Sequence, residues 1–137
     1  MKSHLLALSI LAVAWSGHAQ AADPCKLVSQ EEATAVLGAR VKPGTPAIYG
    51  CQWGKDGGEG FVQIEVAGAR YYQRPPKPAK PIPGVGEEAF LYTEMGGPHA
   101  IARTDKSVVI VWASDNTANQ DKLVELLKTL VGRVAQQ

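Results

Sequence analysis

Histidine, methionine and cysteine are scarce in this chain, whose 137 residues hold three, two and two of them. Each shortage removes a class of chemistry. The chain opens with a short polar segment containing Lys2 and His4, an apolar run from Leu5 to Trp15 broken only by Ser9, and the small-x-small sequence Ala19-Gln20-Ala21. That order predicts a cleaved signal peptide over residues 1–21. Its loss takes away His4 and His18 and leaves His99 as the one histidine, which excludes any mechanism that needs two imidazoles. Long apolar runs are lacking too. Leu5–Trp15 is about half of the roughly 20 residues that span a bilayer, so the mature chain is expected to have no transmembrane segment. An excess of one charge is also missing. Of 14 basic residues Lys2 leaves with the signal, so the remainder balance the 13 acidic ones. A balanced surface argues against nucleic acid as a partner.

What remains is one domain, residues 22–137, long enough to bury a single core. Export leads to an oxidising compartment, periplasmic or secreted, where an even cysteine count reads as a disulfide, Cys25–Cys51. A redox pair has its cysteines close together, as in Cys-x-x-Cys. A structural zinc site needs two more ligands than these residues supply. Asp23 and Pro24 ahead of Cys25 do not fit a lipoprotein cleavage box, so acylation of that cysteine is not expected.

Ser29-Gln30-Glu31-Glu32 is a capping box, and the helix it starts, residues 30–37, stops at Gly38. A short strand is expected over 39–42 and a turn over Pro43–Pro46. Ile48–Trp53 reads as a strand with Tyr49, Cys51 and Trp53 on one face. Gly54–Gly60 has hairpin composition, and Phe61–Val66 returns with Val62, Ile64 and Val66 buried. Ala89–Tyr92 and Ala100–Thr104 are strands separated by a loop over Thr93–His99. Ser107–Ala113 is apolar on both faces and therefore central. A helix over 120–133 begins at a second capping box from Thr117 or at an Asn119 cap. It carries Leu123, Val124, Leu127, Leu130, Val131 and Val134 in one stripe suited to covering a sheet. The pattern predicts an α+β fold: an antiparallel sheet of five to six strands, a C-terminal helix packed on it, and a short N-terminal helix stapled by the disulfide.

Residues 67–83 differ in character. Prolines crowd the segment 75–83, which reads as extended chain short of amides for a sheet. Arg70, Arg74, Lys77 and Lys80 make it basic, and Tyr71 and Tyr72 lie between the arginines. These six residues form the candidate partner-binding face, for an envelope protein or an anionic cell-wall or lipid component. Charge runs on this scale also occur as plain solvated loops.

Catalytic patterns fail one by one. Glu31 and Glu32 complement a helix dipole. The glycines of 54–60 lack the Gly-Lys-Ser/Thr and following helix of a phosphate loop. Glu87 and Glu88 are neighbours in extended chain and point to opposite faces, unlike a glycosidase pair. Met95 and His99 share a loop with copper-type ligands, but two ligands are too few for a tight site. No catalytic, cofactor-binding or metal residue is assigned, and no cofactor is called for.

Four stretches carry a likeness: Asp23-Pro24-Cys25-Lys26-Leu27-Val28 with Gly38 ending its helix, Cys51-Gln52-Trp53, Pro83-Gly84-Val85-Gly86-Glu87-Glu88-Ala89-Phe90, and a hydrophobic strand before a C-terminal helix. In these the chain resembles the DUF3558 family of small exported bacterial proteins, many of them lipoproteins. It departs from the lipoprotein members in having no acylated cysteine. The resemblance implies an exported domain of undefined biochemistry and transfers no catalytic residue. Together with the residues, it leads to the expectation of a non-catalytic envelope protein that binds a partner or ligand. The alternative is a small periplasmic hydrolase, or a small-ligand or metal carrier, with a pocket near Met95–His99.

Overall fold

The computed structural model describes residues 23–137. The expected signal peptide, residues 1–21, lies outside the described residues. After a 3-10 turn at Pro24–Lys26 the chain forms α1 (Gln30–Leu37), β1 (Thr45–Ala47), β2 (Gly50–Gly54) and β3 (Phe61–Gly68). A second 3-10 turn at Ala69–Tyr71 leads through the proline-rich segment to β4 (Lys80–Pro81). Then follow β5 (Glu88–Glu94), β6 (Gly97–Arg103), β7 (Ser107–Ala113) and α2 (Gln120–Ala135). The seven strands make one antiparallel sheet in the order β1-β2-β3-β7-β6-β5-β4. The α+β class is as expected. The extra strands beyond five or six are the two short ones at the edges.

β7 occupies the centre of the sheet, as its apolar faces require. Its Val109, Val111 and Ala113 are buried against the helices together with Val62 and Ile64 of β3, Ala100 and Ala102 of β6 and Cys51 and Trp53 of β2. From α2, Leu123, Leu127 and Leu130 are fully buried against them. Leu126 is buried as well and widens the apolar stripe on its other side. The Asn119 carboxamide starts α2 by accepting from the Lys122 amide at 3.0 Å. Thr117 instead bonds to Asp115, so the second capping box does not form. α1 keeps its capping box, with Ser29 and Glu32 bonding reciprocally, and ends on Gly38 at φ 66°. The helices are tied to one another where the Asn119 amide donates to the Val36 carbonyl at 2.8 Å.

Cys25 and Cys51 form a disulfide, with Cα atoms 5.0 Å apart, between the N-terminal turn and β2. The backbone at Gly44 lies directly over it. A Cβ there would come within 2.7 Å of both Cys51 Sγ and Trp53 Nε1.

Several local expectations are corrected. Residues 39–42 contribute one isolated bridge, Val41 to Lys55, rather than a strand. The supposed turn at Pro43–Pro46 runs into β1, and Ile48–Tyr49 forms the tight connection to β2. Tyr49 stands at φ 59°, so the alternation breaks there. It is 62% exposed and does not share a face with buried Cys51 and Trp53. Val66 is only half-buried. The proline-rich segment does reach the sheet: Pro81 pairs with Phe90, and the Ile82 amide donates to the Ala89 carbonyl at 2.8 Å. Most of the supposed loop over Thr93–His99 is strand. β5 and β6 pair up to Glu94 and Gly97, with only Met95 and Gly96 between them, at φ 50° and 84°. Positive φ at both central residues is the requirement of a type I′ turn, whose twist matches that of the flanking strands.

Candidate functional site

Helices cover one face of the sheet. On the other, side chains line up in cross-strand rows fixed by the register. One row runs Tyr92, His99, Trp112, Gln63. The next runs Phe90, Ile101, Ile110, Glu65, and the third Glu88, Arg103, Val108, Ala67. The proline-rich segment crosses this face as a strap. Tyr72 and Ala79 pack on a small second core of Phe90, Ile101 and Val108.

The first row is an aromatic stack. His99 lies between Tyr92, with ring centroids 5.1 Å apart, and Trp112, at 4.9 Å and an interplanar angle of 9°. Phe61 meets Trp112 edge-on at 4.9 Å. His99 is 6% exposed, and its Nδ1 lies 3.1 Å from the Gly97 carbonyl. A carbonyl only accepts, so the neutral ring carries its proton on Nδ1. Burial lowers the imidazole's pKa, against smaller upward pulls from the Gly97 carbonyl and Glu94. Burial, then the charges of Glu94 and Glu65, push Tyr92 up to about 12. Met95, by contrast, is 76% exposed at the hairpin tip. The two residues that sequence spacing brings together thus sit in opposite environments.

The strap's basic residues divide in the same way. Tyr72 turns inward, its hydroxyl donating to Glu88 at 3.0 Å, whereas Arg74 stays 73% exposed and reaches 3.8 Å from Glu88 and 5.4 Å over the Phe90 ring. Arg103 completes this cluster, 5.4 Å from the Tyr72 ring and within 3.9 Å of Glu87 and Glu88. Burial and the Glu88 carboxylate raise the Tyr72 pKa. Arg70 stacks on Tyr71 at 4.8 Å and donates to its hydroxyl at 3.0 Å. Lys77 is exposed. Lys80 lies on the far side, beside a groove of about 370 Å³ shared with Asp121, Glu125 and Lys128 of α2. The six residues therefore do not form one continuous basic face.

A cleft opens where the strap leaves β3. Its floor is Glu65 and Ala67 of β3 with Val108 and Ile110 of β7, and its walls are Tyr49 and Tyr71. Its volume is about 190 Å³. The two tyrosine rings stand 6.2 Å apart at 32°. Ile48, 78% exposed, adds an apolar side chain at the same hairpin tip. Glu65 accepts from the Gln63 amide at 3.0 Å, and burial raises its pKa despite that bond. Among the described residues no lysine or arginine pairs with it.

Sequence reasoning placed Tyr71 at a surface but missed Tyr49 and Glu65. Tyr49 follows Ile48 and precedes Gly50, and two large apolar residues at a hairpin tip before a glycine are a signal in retrospect. Glu65 alternates with Val62, Ile64 and Val66 like any solvent-facing strand residue and carries no local mark. No family model matches the sequence, and neither the curated proteins nor the solved structures provide a match.

Proposed function

We propose that this is a non-catalytic cell-envelope protein, exported to the periplasm or the medium, that binds a small ligand or a partner's side group on the open face of its sheet. One observation carries the reading. Tyr49 is held in left-handed backbone, a costly conformation for a large side chain, and stands exposed beside Tyr71 over a half-buried carboxylate. Backbone strain of this kind clusters at active sites and ligand clamps. The Cys25–Cys51 bridge, the leader-like residues 1–21 and the resemblance of four short stretches to the DUF3558 family support export. Among the described residues no helix is long and apolar enough to cross a membrane. The anionic wall or lipid partner expected from the strap retains Lys77 and Lys80 as exposed charges outside any described ion pair. That is a weaker basis than the cleft.

Two measurements test this. Amide spectra of isotope-labelled protein, titrated with envelope-derived sugars, amines, amino acids and lipid headgroups, should show saturable shifts at Tyr49, Glu65, Tyr71 and Ile110 for at least one class. Shifts confined to other regions, or none with any compound, would sink the binding reading. Fractionation of tagged cells should find a processed form without free thiols outside the cytoplasm; an unprocessed, reduced cytoplasmic form would refute export.

A further inference from the structure

The size and chemistry of the cleft narrow its ligand, and the narrowing rests on the binding reading above. About 190 Å³ is the space of roughly six waters at ~30 Å³ each. Pockets that engulf drug-sized molecules measure about 300–1,000 Å³. The part of a ligand that the cleft itself holds is therefore of headgroup size.

The lining sets the sign of its charge. Glu65 is the one acidic or basic side chain among the lining residues. The Gln63 amide satisfies one of its oxygens at 3.0 Å, and among the described residues no lysine or arginine pairs with it. A carboxylate removed from water without a cation is in the least favourable state for that group. The walls are tyrosines, whose ring faces are the negative pole of their quadrupole and accept a cation readily. Tyr71 already demonstrates this preference by holding the Arg70 guanidinium 4.8 Å from its centroid. Arg70 is itself exposed, so its charge is screened by water, whereas Glu65 is half-buried and acts through a weaker screen. An anion in the cleft would meet the Glu65 carboxylate with no cationic side chain in the lining to offset it.

We propose that the cleft binds an organic ammonium headgroup, its positive end held between Glu65 and the Tyr49 ring and its methylene or methyl groups against Ala67, Val108 and Ile110. Aromatic walls around a carboxylate are the general means of recognising such cations. A free ammonium compound and a lipid headgroup share this chemistry.

The test uses the mature, oxidised protein with two arms, choline in solution and phosphatidylcholine vesicles, and one control, dimethylbutanol, the uncharged carbon isostere of choline. Saturable binding in either arm, about ten-fold weaker for the isostere and about ten-fold weaker in Glu65→Gln, supports the proposal. The arm that binds identifies the source. Glu65→Gln keeps side-chain volume and an acceptor for Gln63, and its unfolding curve confirms an intact fold. Equal binding of the isostere, or full binding by Glu65→Gln, overturns the ammonium assignment while leaving a binding cleft in place. No binding in either arm overturns the assignment as well, and the wider titration described under the proposed function then decides the binding reading separately.

Discussion

His99 lies flat against Trp112, their ring planes 9° apart, in neighbouring strands at the middle of the open sheet face. An imidazole in that position stacks as a neutral ring. Its charged form would have to give up water for a site 6% exposed, and burial accordingly holds its pKa below 6.5. A base with a depressed folded pKa binds its proton more readily once unfolded. Its contribution to stability is therefore complete above about pH 6.5 and is lost as pH falls toward the folded value. Denaturation midpoints of the protein should fall between pH 6.5 and 5. His99→Phe, which keeps the stack, should flatten that limb. The Asp115 carboxyl, held well below its ordinary value by Lys55 and Thr117, and Glu32, lowered by Arg133 and Ser29 against an opposing burial effect, contribute in a separate window below about pH 4.5. A variant curve parallel to the parent between pH 6.5 and 5 would refute the role given to His99.

Cys25 and Cys51 are 26 residues apart. In the chain-entropy model a loop of that length stabilises by about 3–4 kcal/mol. A domain of this size has only about 5–15 kcal/mol in total. Reduction, or Cys25→Ala with Cys51→Ala, should lower Tm by about 10–20 °C in calorimetry. A change of less than about 3 °C would show that the bridge contributes little.

Gly50 and Gly97 are fixed by backbone, not by turn geometry. A Cβ on Gly50 would stand 1.7 Å from the Ile64 carbonyl oxygen, and one on Gly97 1.8 Å from that of Ala113. Neither carbonyl can move without opening the sheet. Gly50→Ala and Gly97→Ala should each cost about 3 kcal/mol or more, at or beyond the upper end of ordinary overpacking. Gly54→Ala, which meets nothing within 4 Å, should cost almost nothing. Chemical denaturation of the three variants checks the ranking.

Tyr49 at φ 59° sets stability against binding. Tyr49→Gly removes a conformational penalty of about 1 kcal/mol and a wall of the cleft together. Stability should hold or rise slightly, because the Val66 amide still bonds to the carbonyl of residue 49. Saturable shifts at Glu65 and Ile110 should weaken at least ten-fold in the same variant. Loss of stability without loss of binding would reverse the assignment.

Where local chemistry decides the outcome, the fold was legible from residues alone. Ser29 with Glu32, Gly38 and Asn119 mark helix ends by hydrogen bonds that their own sequence neighbourhood completes. The two apolar faces of Val108–Ala113 put β7 in the centre. The candidate site was legible only in part, because it is made by register. His99 meets Trp112, and Glu65 meets Ile110, only once β7 lies between β3 and β6. Period-two reasoning also assumes uninterrupted extended chain, and one left-handed residue moved Tyr49 from the expected disulfide face to the rim of the cleft. The inward turn of Tyr72 toward Glu88 and the reach of Arg74 over Phe90 depend on residues sixteen positions further on in each case, which no charge count on the strap reveals.

Both margins of the sheet carry a proline where an outward amide would otherwise stand. Ala47 and Gly50 flank a two-residue turn, so the next pair, Pro46 with Cys51, directs its backbone groups away from the ladder. The Ile82 amide bonds inward to Ala89, which leaves Pro81 facing out in the same way. Neither margin therefore offers the run of donors that an incoming strand needs, and each is only two or three residues long. Fibre-like stacking of copies through these margins is blocked, and so is recognition of an extended peptide by strand addition. Among the described residues, the part of the sheet left open is its broad side, where the cleft is.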